Sequence, residues 1–100
     1  MTEFENFLSP GRKGHLIGIG GVSMSSLAEV LNGMGLSITG SDMNESSNVL
    51  NLRKKGIPVA IGHNAENITD DVEFVVRTAA VHDENPEIQA AHAKGIPVFE

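Results

Sequence analysis

At 100 residues the chain has room for one modest core. That excludes a complete dinucleotide fold with its own catalytic lobe. The choice is a small binding module or a piece of a longer protein. A formal net charge of -6, from 7 basic and 13 acidic residues, comes without a basic stripe. Nucleic-acid backbones need clustered Lys and Arg, so nucleic acid is not an expected partner. The absence of cysteine removes disulfide frameworks and thiolate metal sites and suits a reducing cytoplasm.

Residues 1–13 read as a polar leader with a short helix over Phe4, Phe7 and Leu8 and a turn at Ser9-Pro10-Gly11. Glu3 and Glu5 and the lack of a long apolar run rule out a signal peptide or membrane span there. His15 to Ile19 is a short buried strand. Gly21 to Met34 follows as a helix, with Leu27, Val30, Leu31 and Met34 on one apolar face at i, i+3, i+4, i+7. Leu36 to Gly40 is a second strand. Ser46 or Ser47 caps a second helix that turns Val49, Leu50 and Leu52 inward, and Gly56 ends it. Its last turn holds Arg53-Lys54-Lys55, where cations complement the helix dipole.

Pro58 to Ile61 is the third strand, followed by the loop Gly62-His63-Asn64 and a short turn over Ala65 to Ile68. Val72 to Thr78 is the fourth strand. Asn85 and Pro86 open a third helix as N-cap and N1. Gly95 closes it, and Pro97-Val98-Phe99 begins a fifth strand. Strands alternating with helices predict a Rossmann-like α/β domain over 14–100: five parallel strands in order 3-2-1-4-5 with helices on both faces. Glu100 falls just inside that last strand, which is expected of a trimmed piece rather than a whole protein.

The most informative segment is His15-Leu-Ile-Gly18-Ile-Gly20-Gly21-Val-Ser23-Met-Ser25. A strand runs into glycines and straight on into a helix. Glycine lets the backbone turn and lets a ligand come close, and the helix start offers unpaired N–H groups to a phosphate. Gly18, Gly20 and Ser23 occupy the G-x-G-x-x-G positions, with serine in the third; packing alone is the competing reason for such a turn. Asp42, at the end of the next strand, either accepts bonds from a ribose or simply ends the strand. His63 after Gly62 is either a ligand contact or a solvated loop residue. His15, His82 and His92 share no metal-ligand spacing with it, and no metal site is expected. Asp70-Asp71-Glu73 reads as a solvated acidic loop. No G-x-x-x-x-G-K-[ST] stretch is present, so no Walker-type ATP loop lies in these residues.

Taken together, Gly18 to Ala28, Gly40-Ser-Asp42, Gly62-His63 and Asp83-Glu-Asn-Pro-Glu87 resemble the N-terminal domain of the Mur ligases, in order and spacing, over about residues 14–99. Met24-Ser25 after the Gly-Gly turn resembles the members that add L-alanine to UDP-N-acetylmuramate. The resemblance implies a cytoplasmic, three-domain, ATP-dependent ligase of peptidoglycan synthesis. Its first domain holds the UDP-sugar. ATP and Mg2+ bind in the second, and the third brings the amino acid. An acyl phosphate forms on the muramoyl carboxylate and the alanine amine attacks it.

Carried over to this sequence, Gly20, Gly21, Val22, Ser23 and Met24 would hold the diphosphate. Ser41 and Asp42 would meet the uridine side, with His63 beside the uracil. Thr78, Ala79, Ala80 and Val81 would line the nucleotide pocket and Asn85 would close it. No catalytic residue and no metal ligand falls within the chain on this reading. Ser23 replaces a glycine frequent in the family, and Val49 replaces a threonine. Two other readings compete: a nicotinamide-binding half-domain of a dehydrogenase, and a non-catalytic nucleotide sensor.

Overall fold

The segment after Arg12 forms the central strand of the sheet, β1 (Lys13–Ile17), in a computed structural model that describes residues 3–100. Met1 and Thr2 of the expected leader lie outside the described residues. β2 (Ser37–Asp42) and β4 (Phe74–Val76) flank β1, and β3 (Val59–Ile61) and β5 (Val98–Phe99) form the edges. The order is β3-β2-β1-β4-β5, and every pairing is parallel. Parallel neighbours need crossovers, supplied by α1 (Val22–Gly33), α2 (Ser47–Lys54) and α3 (Pro86–Ala93). The doubly wound sheet expected from the sequence is the one observed.

Strand alternation divides the core in two. Leu16, Ile38, Phe74 and Val76 face α1 and α2, where they meet Met24, Leu31, Val49 and Leu52. Ile17 and Val75 face the other way, onto Ile88 and Ala91 of α3. Glycine makes room on the first face. A Cβ on Gly14 would lie 2.2 Å from the Phe74 ring, and one on Gly40 would lie 2.4 Å from Ile19. The Phe74 ring is itself held by Phe4 and Phe7 of a short 3-10 turn (Glu3–Phe7), with ring centroids 5.7 and 5.5 Å away. The segment before β1 therefore closes one end of the core.

Several details differ from the sequence expectation: β4 is confined to Phe74–Val76 rather than Val72 to Thr78, and β2 is Ser37–Asp42 rather than Leu36 to Gly40. The buried face of α1 is Met24, Ala28 and Leu31, while Val30 and Met34 are exposed. The sheet meets the helix one position round from the stripe that hydrophobicity alone suggests. In α2, Val49 and Leu52 point inward but Leu50 is exposed. Residues 18–19 leave the ladder early, because Gly18 adopts a positive φ of 77°. The capping expectations hold: Ser46 accepts a bond from the Val49 N–H, and Asn85 caps α3 with Pro86 behind it. Arg53 bonds Glu45 and the Val59 carbonyl, and Lys55 pairs with Glu29, so these cations are engaged within the fold.

Candidate functional site

The turn between β1 and α1 is built by the backbone. The Ser41 carbonyl accepts the Gly18 and Ile19 N–H groups at 2.8 and 3.0 Å, tying the turn to β2. The Gly20 N–H donates to Asp42 Oδ2 at 2.8 Å, and Asn48 donates its side-chain amide to the Gly20 carbonyl at 2.9 Å. Gly20 is thus clamped between β2 and α2. Gly21 is the N-cap of α1 and supplies no side-chain cap. The first N–H groups of α1 therefore face outward, with the positive end of the helix dipole behind them. That is the electrostatic requirement of a phosphate seat.

The other strand ends complete the rim. A cavity of about 580 Å³ is walled on one side by the turn, with Asp42, Asn44 and Ser46, and on the other by Thr78, Ala80 and Val81. A neighbouring cavity of about 710 Å³ lies between His63 and the segment carrying His82, Glu84 and Asn85, and it shares Ala80 and Val81 with the first. Both open where the winding reverses between β1 and β4, the place where open α/β sheets bind ligands. Ala79 turns to a third, more apolar cavity of about 520 Å³ shared with Phe4, Leu27 and Phe99.

Beneath the rim lies a buried polar cluster. Glu87, in the first turn of α3, is fully buried. Its Oε1 accepts from His15 Nε2 and from Ser41 Oγ, each at 2.7 Å. Its Oε2 accepts from the Asn64 N–H at 3.0 Å and from Asn67 Nδ2 at 2.8 Å. Burial pushes this carboxyl upward, but the bonds from His15, Asn67 and Ser41 outweigh it and hold the group down at about 2. His15 sits opposite Thr39 in the β1–β2 register, and its Nδ1 meets Thr39 Oγ1 at 2.8 Å. His63 Nδ1 lies 3.0 Å from Ser41 Oγ. One carboxylate thus joins β1, β2, the β3–β4 connection and α3.

Residues 13–100 match the family model described as "Mur ligase family, catalytic domain". The chain belongs to the Mur ligase family. It is 54% identical, over 85% of its length, to the UDP-N-acetylmuramate–L-alanine ligase of Agathobacter rectalis. It is 52% identical, over 84% of its length, to the ligase of the same name from Azorhizobium caulinodans. The crystal structure of the UDP-N-acetylmuramate-alanine ligase of Thermotoga maritima superposes with a TM-score of 0.84 at 39% identity, covering 87% of this chain and 20% of that one. The chain spans about 18% of the length of each of these two curated relatives.

Within this Mur ligase domain the turn residues, Asp42, Thr78, Ala80 and Val81 come together at one cavity, and His63 and Asn85 at the next. Ser41 lines neither, because its side chain is fully buried against Glu87. Asp42 braces Gly20 and the Asn44 N–H while also lining the cavity. Sequence reasoning missed His15, Asn48 and Glu87 as parts of this architecture. Glu87 left a faint signal, an acid one residue before Ile88 on the face that α3 buries. At a helix start such an acid reads first as a solvated complement to the dipole.

Proposed function

We propose that this chain binds UDP-N-acetylmuramate as the first domain of a cytoplasmic, ATP-dependent ligase that adds L-alanine to that sugar. The supporting observation is the uncapped α1 start at a glycine turn, on the same rim as Asp42, His63 and the 78–85 segment. The names of the relatives supply the substrate. The diphosphate rests on the N–H groups of Val22, Ser23 and Met24, beside Gly21, whose own N–H is taken by the Gly18 carbonyl; there the fixed dipoles neutralise charge. The nucleoside extends toward Ala80, Val81 and His63, and Asn85 borders the far side. ATP and Mg2+ belong to parts of the ligase outside these residues, and among the described residues no His, Asp and Glu cluster could hold a metal. A nicotinamide half-domain is the weaker reading, since Ser23 replaces the third glycine that lets a helix pack close to its strand.

Calorimetric titration of the purified chain with UDP-N-acetylmuramate and with NADH tests this. Heat from the sugar nucleotide and none from NADH is expected, while the reverse overturns the proposal. Phosphate release from ATP in the presence of the sugar nucleotide and L-alanine is not expected from this chain alone. Replacing His63 by alanine should weaken UDP binding about threefold to tenfold, the worth of one net hydrogen bond. It should leave inorganic pyrophosphate binding unchanged. Because His63 is half-buried against Ser41, the same change is expected to lower stability by about 1 kcal/mol.

A further inference from the structure

The buried cluster has a directional consequence. A serine hydroxyl has one proton to donate. Ser41 gives it to Glu87 Oε1, at 2.7 Å. The 3.0 Å contact between Ser41 Oγ and His63 Nδ1 then has no proton left from the serine side. His63 must supply it, so the imidazole carries its hydrogen on Nδ1. The second Glu87 oxygen, 3.6 Å from the same nitrogen, favours that proton electrostatically. In a neutral ring with Nδ1 protonated, Nε2 is a bare acceptor. His63 borders the cavity shared with Ala80 and Val81, and no described residue bonds Nε2.

We propose that Glu87 is a positioning residue: acting through Ser41, it fixes His63 with its proton on Nδ1, so that Nε2 is offered to the cavity as an acceptor for a ring N–H donor of the bound base. The choice of base rests on the nucleotide reading above. A uracil-type imide carries an N–H at its pairing edge, whereas cytosine presents a lone pair there. An acceptor at His63 therefore selects uracil and repels cytosine. Glu87 does not touch the ligand. It sets the polarity of the residue that does.

Replacing Glu87 by glutamine makes the relay testable. The backbone N–H of Asn64 cannot invert, so the amide oxygen takes the Oε2 place and the NH2 takes the Oε1 place. The NH2 then donates one proton to Ser41 Oγ and one to His15 Nε2, whose own hydrogen moves to Nδ1 and faces Thr39 Oγ1; the Ser41 proton turns to His63 Nδ1. The His63 proton must move to Nε2.

Two-bond 1H–15N spectra of the whole chain read the tautomer directly. The expected result is Nδ1–H in the parent and Nε2–H in Glu87→Gln. A parent ring protonated on Nε2, or on both nitrogens, at neutral pH overturns the proposal, and that measurement needs no variant to fold. A folded Glu87→Gln that keeps Nδ1–H also overturns it, because a purely structural Glu87 would leave the tautomer alone. The parent should bind UDP roughly tenfold more tightly than CDP, and the variant should narrow or invert that ratio. Equal affinity, with both ligands moving the His63 resonances, overturns the selection of base. If UDP leaves those resonances in place while the tautomer follows Glu87, the nucleotide reading fails and the positioning role stands.

Discussion

Replacing Glu87 with alanine is expected to destabilise the fold by about 3–5 kcal/mol, as when one partner of a buried, bonded charge is removed. The size follows from what is left behind. His15, Ser41, Asn67 and the Asn64 N–H each lose an acceptor at 2.7–3.0 Å, and His15 and Ser41 are themselves buried. The effect must depend on pH, with a definite sign. The folded-state value of about 2 lies below the ordinary 4.5. The stabilisation is therefore fully present above pH 4.5 and is lost as pH falls toward 2. That interval corresponds to on the order of 3 kcal/mol. Urea denaturation across this range should show the parent converging on Glu87→Ala as the solution is acidified. Glu73 and Asp83, lowered by exposed bonds to Arg12 and Arg77, occur in both proteins and cancel in the difference. A gap between parent and variant that stays constant from neutral pH to pH 2 would contradict the assignment.

The sheet order was legible because its signals are local and repeated. Two of the crossover helices carry their own cap and stop: Ser46 and Gly56 for α2, Asn85 and Gly95 for α3. The glycine turn was legible for the same reason, since strand, glycines and helix are contiguous. What the sequence hid is the part made by distant residues on one sheet face. His15 and Thr39 meet only because β1 and β2 pair in that register, and Glu87 reaches them only because α3 packs on that side. A polar residue in a strand gives no sign of its partner until the register is known. Periodicity also misplaced the buried stripe of α1. Val30 and Met34 are as apolar as Met24 and Ala28, and only the position of the sheet chooses between them.

The second large effect concerns the glycine turn, where the neighbouring residues Gly20 and Gly21 should respond in different ways. The sequence suggests that a bulky residue at Gly20 blocks the diphosphate and spares the sheet. The geometry points elsewhere. A Cβ on Gly20 would lie 2.9 Å from Asp42 Oδ2 and 3.0 Å from Val49, directed into the contact with β2 and α2. Gly20→Val should therefore cost about 2 kcal/mol of stability by overpacking. It should also pull the turn off Asp42 and Asn48, misaligning the N–H groups of α1. Bonds to a charged phosphate are worth roughly 1.5–3 kcal/mol each, so UDP-sugar affinity should fall by about a hundredfold. Gly21 differs. Its φ of -64° and ψ of 155° suit any residue, and the nearest atom to a new Cβ is the Gly18 carbonyl oxygen at 3.5 Å. Gly21→Ala should leave Tm close to that of the parent, since the restriction of the unfolded chain by alanine is offset by its poorer fit at the N-cap of α1. Yet the new methyl stands at the cavity wall where the diphosphate is proposed to approach, and affinity should drop by about tenfold, the cost of roughly one bond. Thermal melts and calorimetry on the same two variants separate these contributions. If Gly20→Val melts like the parent, the clamp by Asp42 and Asn48 is not what holds the turn. If Gly21→Ala binds the sugar nucleotide like the parent, the ligand does not lie over the start of α1.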